Sequence, residues 1–407
     1  MSNHRVCGLI VFLGIFGCLL ADDAFEFDRE VRRFAGKSTI SSGLVAQSDD
    51  SSVRDVSADQ NSYPHCSSES DDASSKVSPA FDPNTFADKL EYLGVAVEEP
   101  GWHVWGTSPV MADDGKVHLF CARWPISARF DPGWRIASQI AHYVGDGPEG
   151  PFKFSDVALS GTGKDTWDKT GVHNPAIHRV CDKYVLLYIS NTGLEGHPAN
   201  QCIGMATADS PYGPWQKVGE DGLILAPPED ESYWNYGSGC GVNNPAFLQH
   251  PDGRFFLFFK SRPGNRGGTK MGLAIADKLE GPYVQKRKPI TANDRAIEDG
   301  YAFASGGKIY LLTTDNHGML KRGGGLLWVS DDGENFESIP RPGFDLFANY
   351  LPSEDRSQAK RIYGGQLKFE RPQVLMIDGR PAYLYMPSGF NIKGGNGTIS
   401  HVLRVRY

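Results

Sequence analysis

The sequence predicts an all-β fold, a five-bladed β-propeller with four-stranded antiparallel blades, and three observations predict it. A phrase of two polar residues, a proline or glycine, a hydrophobic strand, a tight turn and a second hydrophobic strand occurs five times. The phrases begin at Thr107-Ser108-Pro109, His173-Asn174-Pro175, Asn243-Asn244-Pro245, Glu298-Asp299-Gly300 and Glu370-Arg371-Pro372. Three of the units share a later Gly-Pro-aromatic turn, and 47 glycines and 26 prolines favour many turns over long helices. Self-similarity of this kind marks a repeat architecture, and units of four strands point to propeller blades.

Each element of a blade has its own signal. The second strands are the apolar runs at 116–120, 183–188, 254–259, 308–312 and 382–385. Asp113-Asp114-Gly115, Asp252-Gly253, Gly306-Gly307 and Asp378-Gly379 supply the positive φ angles of the hairpins that precede them. Third strands follow at 139–144, 202–207, 270–275, 325–329 and 399–405. Gly150-Pro151-Phe152, Gly213-Pro214-Trp215 and Gly281-Pro282-Tyr283 then swing the chain into a short outer strand, with Asp332-Gly333 and Phe336 in that place in the fourth unit. The fifth unit ends the chain after its third strand. Its missing outer strand is expected from the start of the domain, near Tyr92 to Val97, which closes the ring and leaves no long open edge.

Ahead of the propeller, assigned to 86–407, the chain reads as two further segments. Residues 1–21 resemble an export signal: Arg5, an apolar run from Val6 to Leu20, and Ala21 before Asp22-Asp23. The run is too short for a confident membrane span, and no span is expected once it is removed. Residues 22–85 read as a disordered linker, rich in serine and aspartate, whose composition cannot bury enough apolar area to offset ordering entropy. A secreted, periplasmic or cell-surface location follows from the signal. The net charge of −8 argues against nucleic acid as a partner. The cysteines have no recurring or zinc-like spacing, so small buried side chains with at most one or two bridges are expected, not a disulfide framework or a cysteine zinc site. No cofactor motif is present, although a structural calcium ion in the channel is conceivable.

The innermost strands of a propeller line its channel, so a polar pair just before each strand stands at one mouth. That mouth should gather Ser108, His173, Asn174, Asn244, Glu298, Asp299, Glu370 and Arg371. Carboxylates, a histidine and an arginine converging on one cavity are costly to desolvate unless they pair or act. Asp168, Asp315 and His317 are further polar candidates, and Arg123, Arg262 and Arg371 are placed to meet an anionic group. Trp102, Trp105, Trp124, Trp134, Trp167, Tyr233, Trp234 and Tyr236 fall in or near loops, where an aromatic face suits a pyranose as well as a neighbouring blade.

The five-fold pattern, the Gly-Pro-aromatic turns and the Glu-Asp-Gly and Glu-Arg-Pro phrases resemble the five-bladed propeller glycoside hydrolases of families 43 and 117. The resemblance covers about Phe86 to Tyr407. It implies cleavage of glycosidic bonds, usually from a chain end, in plant or algal polysaccharides, with a carbohydrate as the partner. It also implies an aspartate base on the first blade, a second aspartate that tunes acidity, and a glutamate acid. Glu298 matches the glutamate best, whereas the first and third phrases carry no acid. On this reading Glu298 is the general acid, with Asp299 raising its pKa. Glu370 or Asp299 is the base or nucleophile, and His173 a partner to sugar hydroxyls or a proton relay. Ser108, Asn174, Asn244, Arg371, Asp315, His317, Arg123 and Trp124 are the substrate-binding candidates. Two alternatives stand beside it: a polysaccharide lyase using His173 and Tyr301, and a sugar-binding propeller without catalysis.

Overall fold

The computed structural model describes residues 81–191, 201–264, 267–363, 367–389 and 397–407, with backbone alone for 361–363. The chain divides into two units, Met1–Pro64 and His65–Tyr407. The first unit lies outside the described residues, and so do the expected export signal and all of the expected linker but 81–85.

Five antiparallel sheets follow one another along the described chain. Blade I holds β2 (Trp102–Met111), β3 (Val117–Pro125), β4 (Gln139–Gly145) and β5 (Lys153–Leu159). Blade II holds β6 (His173–Val180), β7 (Lys183–Ser190) and β8 (Cys202–Ala208), edged by two short strands, β9 (Gln216–Lys217) and β10 (Leu223–Leu225), that both pair with β8. Blade III holds β11 (Asn243–Gln249), β12 (Phe255–Ser261), β13 (Lys270–Ala276) and β14 (Val284–Gln285). Blade IV holds β15 (Glu298–Ser305), β16 (Lys308–Asp315), β17 (Gly324–Ser330) and β18 (Arg341–Phe344).

Blade V is built from both ends of the propeller. Its strands β19 (Gln373–Ile377), β20 (Arg380–Ser388) and β21 (Ile399–Val405) are completed by β1 (Leu90–Val97), which pairs antiparallel with β21, Tyr92 opposite Leu403. The expected closure is therefore present, and it removes the exposed edge that β21 would otherwise offer.

The blades are buried on both faces, which is why their middle strands are continuous apolar runs rather than alternating ones. Five apolar clusters fill the five seams. Ile177 and Leu186 meet Phe120 and Ile140 between blades I and II. Leu187 and Ile203 meet Phe247 and Leu257 between II and III, and Phe258 and Leu273 meet Leu311 and Trp328 between III and IV. Phe303 and Leu312 meet Val374 and Leu384 between IV and V. Val104 and Leu119 meet Tyr385 and Val402 between V and I. The last seam closes the wheel.

Two features were not legible in the sequence. Phe81, ahead of the expected start at Phe86, already packs into the domain, its ring edge-on to Phe86, Phe303 and Tyr310 at 5.3, 5.5 and 4.8 Å. An 11-residue helix, Ser353–Tyr363, stands between blades IV and V, with Pro352 before it and Glu354 and Asp355 in its first turn. Among the described residues no helix is long and apolar enough to cross a membrane.

Candidate functional site at the channel mouth

Four of the five inner strands are kinked in the same way near their start, and the chain just before the fifth takes the same backbone turn. Pairing slips between Trp105 and Ser108, His173 and Ala176, Asn243 and Ala246, and Glu298 and Tyr301. At each kink one residue takes a positive φ: Gly106 at 60°, Asn174 at 50°, Asn244 at 51° and Asp299 at 56°, with Arg371 at 43° in blade V. Such a bulge turns the residue before it toward the axis and spends a left-handed backbone conformation that non-glycine residues adopt at a cost of about 1–3 kcal/mol.

This register corrects the first phrase. The blade I counterpart of His173-Asn174-Pro175 is Trp105-Gly106-Thr107, two residues before Thr107-Ser108-Pro109. Ser108 consequently lies away from the mouth. It is fully buried, and its Oγ accepts the backbone N–H of Ile177 at 3.0 Å across the seam to blade II.

The first residues of all five phrases, Trp105, His173, Asn243, Glu298 and Glu370, line one cavity of about 260 Å³. Phe130, Trp134, Ile189, Gln201, Cys240 and Lys260 complete it, together with Asn174, Asn244 and Asp299. Beneath it, the positive-φ residues form a ring. Asn174 Nδ2 donates to Asn244 Oδ1 at 2.6 Å, and Asn244 Nδ2 donates to Asp299 Oδ1 at 2.6 Å. Arg371 Nη1 lies 3.9 Å from Asp299 Oδ1, and its Nη2 donates to the Asn174 carbonyl at 2.7 Å. Arg371 is wholly buried, so it supports the floor and does not reach the cavity.

Charge is matched pair by pair. Lys260 Nζ donates to Glu298 Oε2 at 2.9 Å. Burial pushes the Glu298 carboxyl up, but the Lys260 ammonium, helped by Lys368 and His317, brings it below its ordinary value. This is opposite to the shift expected from Asp299 alone. Asp299 takes the upward shift instead, through burial and the Glu298 charge beside it. Glu370 is ion-paired with Lys368, yet burial, with the Asp299 and Glu298 carboxylates, pushes it up to about 7. Burial and the Arg371 charge hold His173 well below the usual histidine value, so its ring is neutral. Its Nδ1 is 3.1 Å from Ser138 Oγ, and Trp124 and Trp134 flank it at 5.2 and 5.3 Å.

Of the residues named from sequence, Glu298, Glu370, Asp299, His173, Asn174, Asn244, Trp105 and Trp134 thus meet at the cavity. The others have different employment. Arg123 grips Glu99 with both contacts under 3 Å and lies 4.3 Å over Trp102. Trp124 is fully buried behind His173. Asp168 is ion-paired with Lys217 and accepts from Thr166 Oγ1. Asp315 is buried and accepts four backbone N–H groups, from Gly318, Met319, Leu320 and Lys321, at 2.8–2.9 Å. It therefore organises the loop that carries the exposed His317. Tyr301 lines a separate cavity with His178, Phe247 and Met376, formed where inner strands end, so it is not brought together with His173. Lys260 and Cys240 were missed. Lys260 had a signal, as the one charged residue within the run Phe255–Ser261. Among the described residues no group of three or more His, Cys, Asp or Glu side chains is placed to hold a metal ion.

No family model matches the sequence. A 155-residue stretch is 28% identical to an extracellular endo-α-(1→5)-L-arabinanase of Bacillus subtilis (strain 168), covering 36% of this chain. The chain spans about a third of the length of that curated relative, 31%. Among solved structures, a family 117 glycoside hydrolase from Zobellia galactanivorans superposes with a TM-score of 0.59 at 16% identity, covering 79% of this chain and 91% of that one. A family 43 β-xylosidase/α-arabinofuranosidase from a compost microbial metagenome, in complex with xylotriose, gives 0.51 at 14% identity over 76% and 94%. These likenesses establish the fold: the chain is a five-bladed propeller of the kind on which family 43 and family 117 glycoside hydrolases are built.

Proposed function

We propose that the chain is an exported glycoside hydrolase that removes a terminal sugar from a plant or algal poly- or oligosaccharide. The observation that carries this reading is one cavity holding two glutamates whose acidities are driven apart, Glu298 down and Glu370 up to about 7. Glycoside hydrolysis requires such a pair, one carboxyl protonated and one ionised on either side of the scissile oxygen. Roles follow from environment: Glu370 donates the proton to the leaving oxygen, and Glu298 acts on the opposite side as base or nucleophile. This reverses the assignment expected from sequence, because Lys260 was not part of that expectation.

The neutral His173 ring supports a hydrogen bond to a sugar hydroxyl, and Trp105, Phe130 and Trp134 give the cavity an aromatic wall for a sugar face. A cavity of about 260 Å³ falls just below the usual span for small-molecule sites, which favours a single chain-end unit over an internal segment. The partial match to an arabinanase makes α-1,5-linked arabinan the first substrate to try, with exo rather than endo action. Time-resolved product analysis tests the reading: monosaccharide should appear first with wild type and be lost with Glu370→Gln. Oligosaccharides appearing first would contradict exo action.

A second reading, a sugar-binding propeller without turnover, is favoured by one observation. Blade I presents Trp105-Gly106 where the resembled families supply a carboxylate. Calorimetric binding of the sugar with no product after prolonged incubation would select it.

A further inference from the structure

Among the described residues lining the cavity, Lys260 is the one lysine or arginine, and no role for it follows from the recurring phrases. It stands on β12 behind Phe258 and Phe259, both fully buried, and is held on both sides by the sheet, opposite Asn243 on β11 and Met271 on β13. Its side chain is 12% exposed. A mostly buried ammonium is expensive to desolvate, and an ion pair alone seldom repays that cost. Lys368, the other lysine near the glutamates, differs. It precedes β19 outside any strand, reaches Glu370 and Asn316, and does not line the cavity.

An ammonium has three N–H donors, and Glu298 Oε2 takes one at 2.9 Å. The geometry points to a double role for Lys260: a fixed counter-ion that keeps Glu298 ionised, and a donor to a hydroxyl of the sugar in the cavity. The first half rests on the hydrolase reading; the second does not. The counter-ion role makes Lys260 the residue that decides which glutamate is base and which is acid. The Glu298 shift, in which the Lys260 charge and hydrogen bond, with Lys368 and His317, together overcome burial, agrees with this geometry.

Three variants separate the two roles. Lys260→Met removes charge and donor, Lys260→Gln removes charge but keeps a donor, and Lys260→Arg keeps both. With p-nitrophenyl α-L-arabinofuranoside, the acidic limb of kcat/KM against pH should move up by about one unit in the Met and Gln variants and stay in place in the Arg variant. With L-arabinose in calorimetry, affinity should fall about tenfold in the Met variant and much less in the Gln variant. An unmoved limb in both uncharged variants overturns the counter-ion role. Equal affinity of wild type and the Met variant, including no binding by either, overturns the donor role. Should the Met variant fail to fold, Gln against Arg still reads the limb, and Gln against wild type still reads affinity. If L-arabinose binds in a Lys260-dependent way but no glycoside is cleaved, the hydrolase reading fails and the donor role stands.

Discussion

Gly106 and Arg371 occupy one site from opposite ends of the propeller. A Cβ on residue 106 would stand 2.8 Å from both Cδ and Nε of Arg371, and the glycine φ is +60°. The wholly buried arginine fills the place that blade I leaves empty, and with Asn174, Asn244 and Asp299 it completes the floor under the glutamates.

This fit predicts a coupled cost. Gly106→Ala should destabilise by about 2–4 kcal/mol, since it adds backbone strain to a steric clash. In an Arg371→Ala background the same change should cost at least about 1 kcal/mol less, because the clashing Cδ and Nε are gone. Urea unfolding of the four proteins measures the coupling. Strict additivity would mean the two residues do not share the space.

Carboxyl titration provides a second prediction. One glutamate should titrate at about 7 in carbon-13 NMR, and that signal should vanish in Glu370→Gln. A glutamate spectrum that titrates wholly in the ordinary carboxylate range would remove the basis for Glu370 as acid.

How much of this was visible in the sequence depends on the kind of signal. Strands, turns and the closure by β1 follow from hydrophobic runs and positive-φ residues, which act locally. The first phrase was misplaced because Pro109 mimicked the Pro175, Pro245 and Pro372 that follow the other bulges, whereas blade I has Thr107 there. Proline type was a weaker guide than the bulge, which only the strand register reveals. Lys260 and Asp315 failed for another reason. Lys260 breaks the apolar run Phe255–Ser261 and Asp315 reads as a substrate-binding candidate, but only the fold sets the one beside Glu298 and wraps a loop around the other.

That loop yields a third prediction. Asp315→Ala removes the acceptor of four backbone N–H groups and should destabilise by about 2–4 kcal/mol. Hydrogen exchange of the Gly318 to Lys321 amides should quicken well beyond the global change. Asp315→Asn should recover part of the protection.

Buried histidines predict the pH dependence of stability. Burial pushes His401 down to about 3 and His178 to about 4, from an ordinary 6.5. His401 is tied to Tyr92 OH at 3.1 Å and Ser388 Oγ at 2.6 Å. The unfolded chain binds these protons more readily, so the contribution is whole above about pH 6.5 and is lost as pH falls toward 4. The slope should approach ~1.4 kcal/mol per pH unit for each such histidine. His401→Gln should flatten the fall in urea midpoint between pH 6.5 and 4.5. A wild-type midpoint that is level across that window would contradict the assignment.

The account depends most on two glutamates doing different work at one cavity, and leaving-group dependence tests that most directly. Glu370→Gln should lose at least about 100-fold in kcat on an arabino-oligosaccharide yet keep most of its rate on an activated dinitrophenyl arabinofuranoside, whose leaving group needs no proton. Glu298→Gln should lose activity on both. Equal losses on both substrates for Glu370→Gln, or rescue of Glu298→Gln alone by the activated substrate, would contradict the assignment.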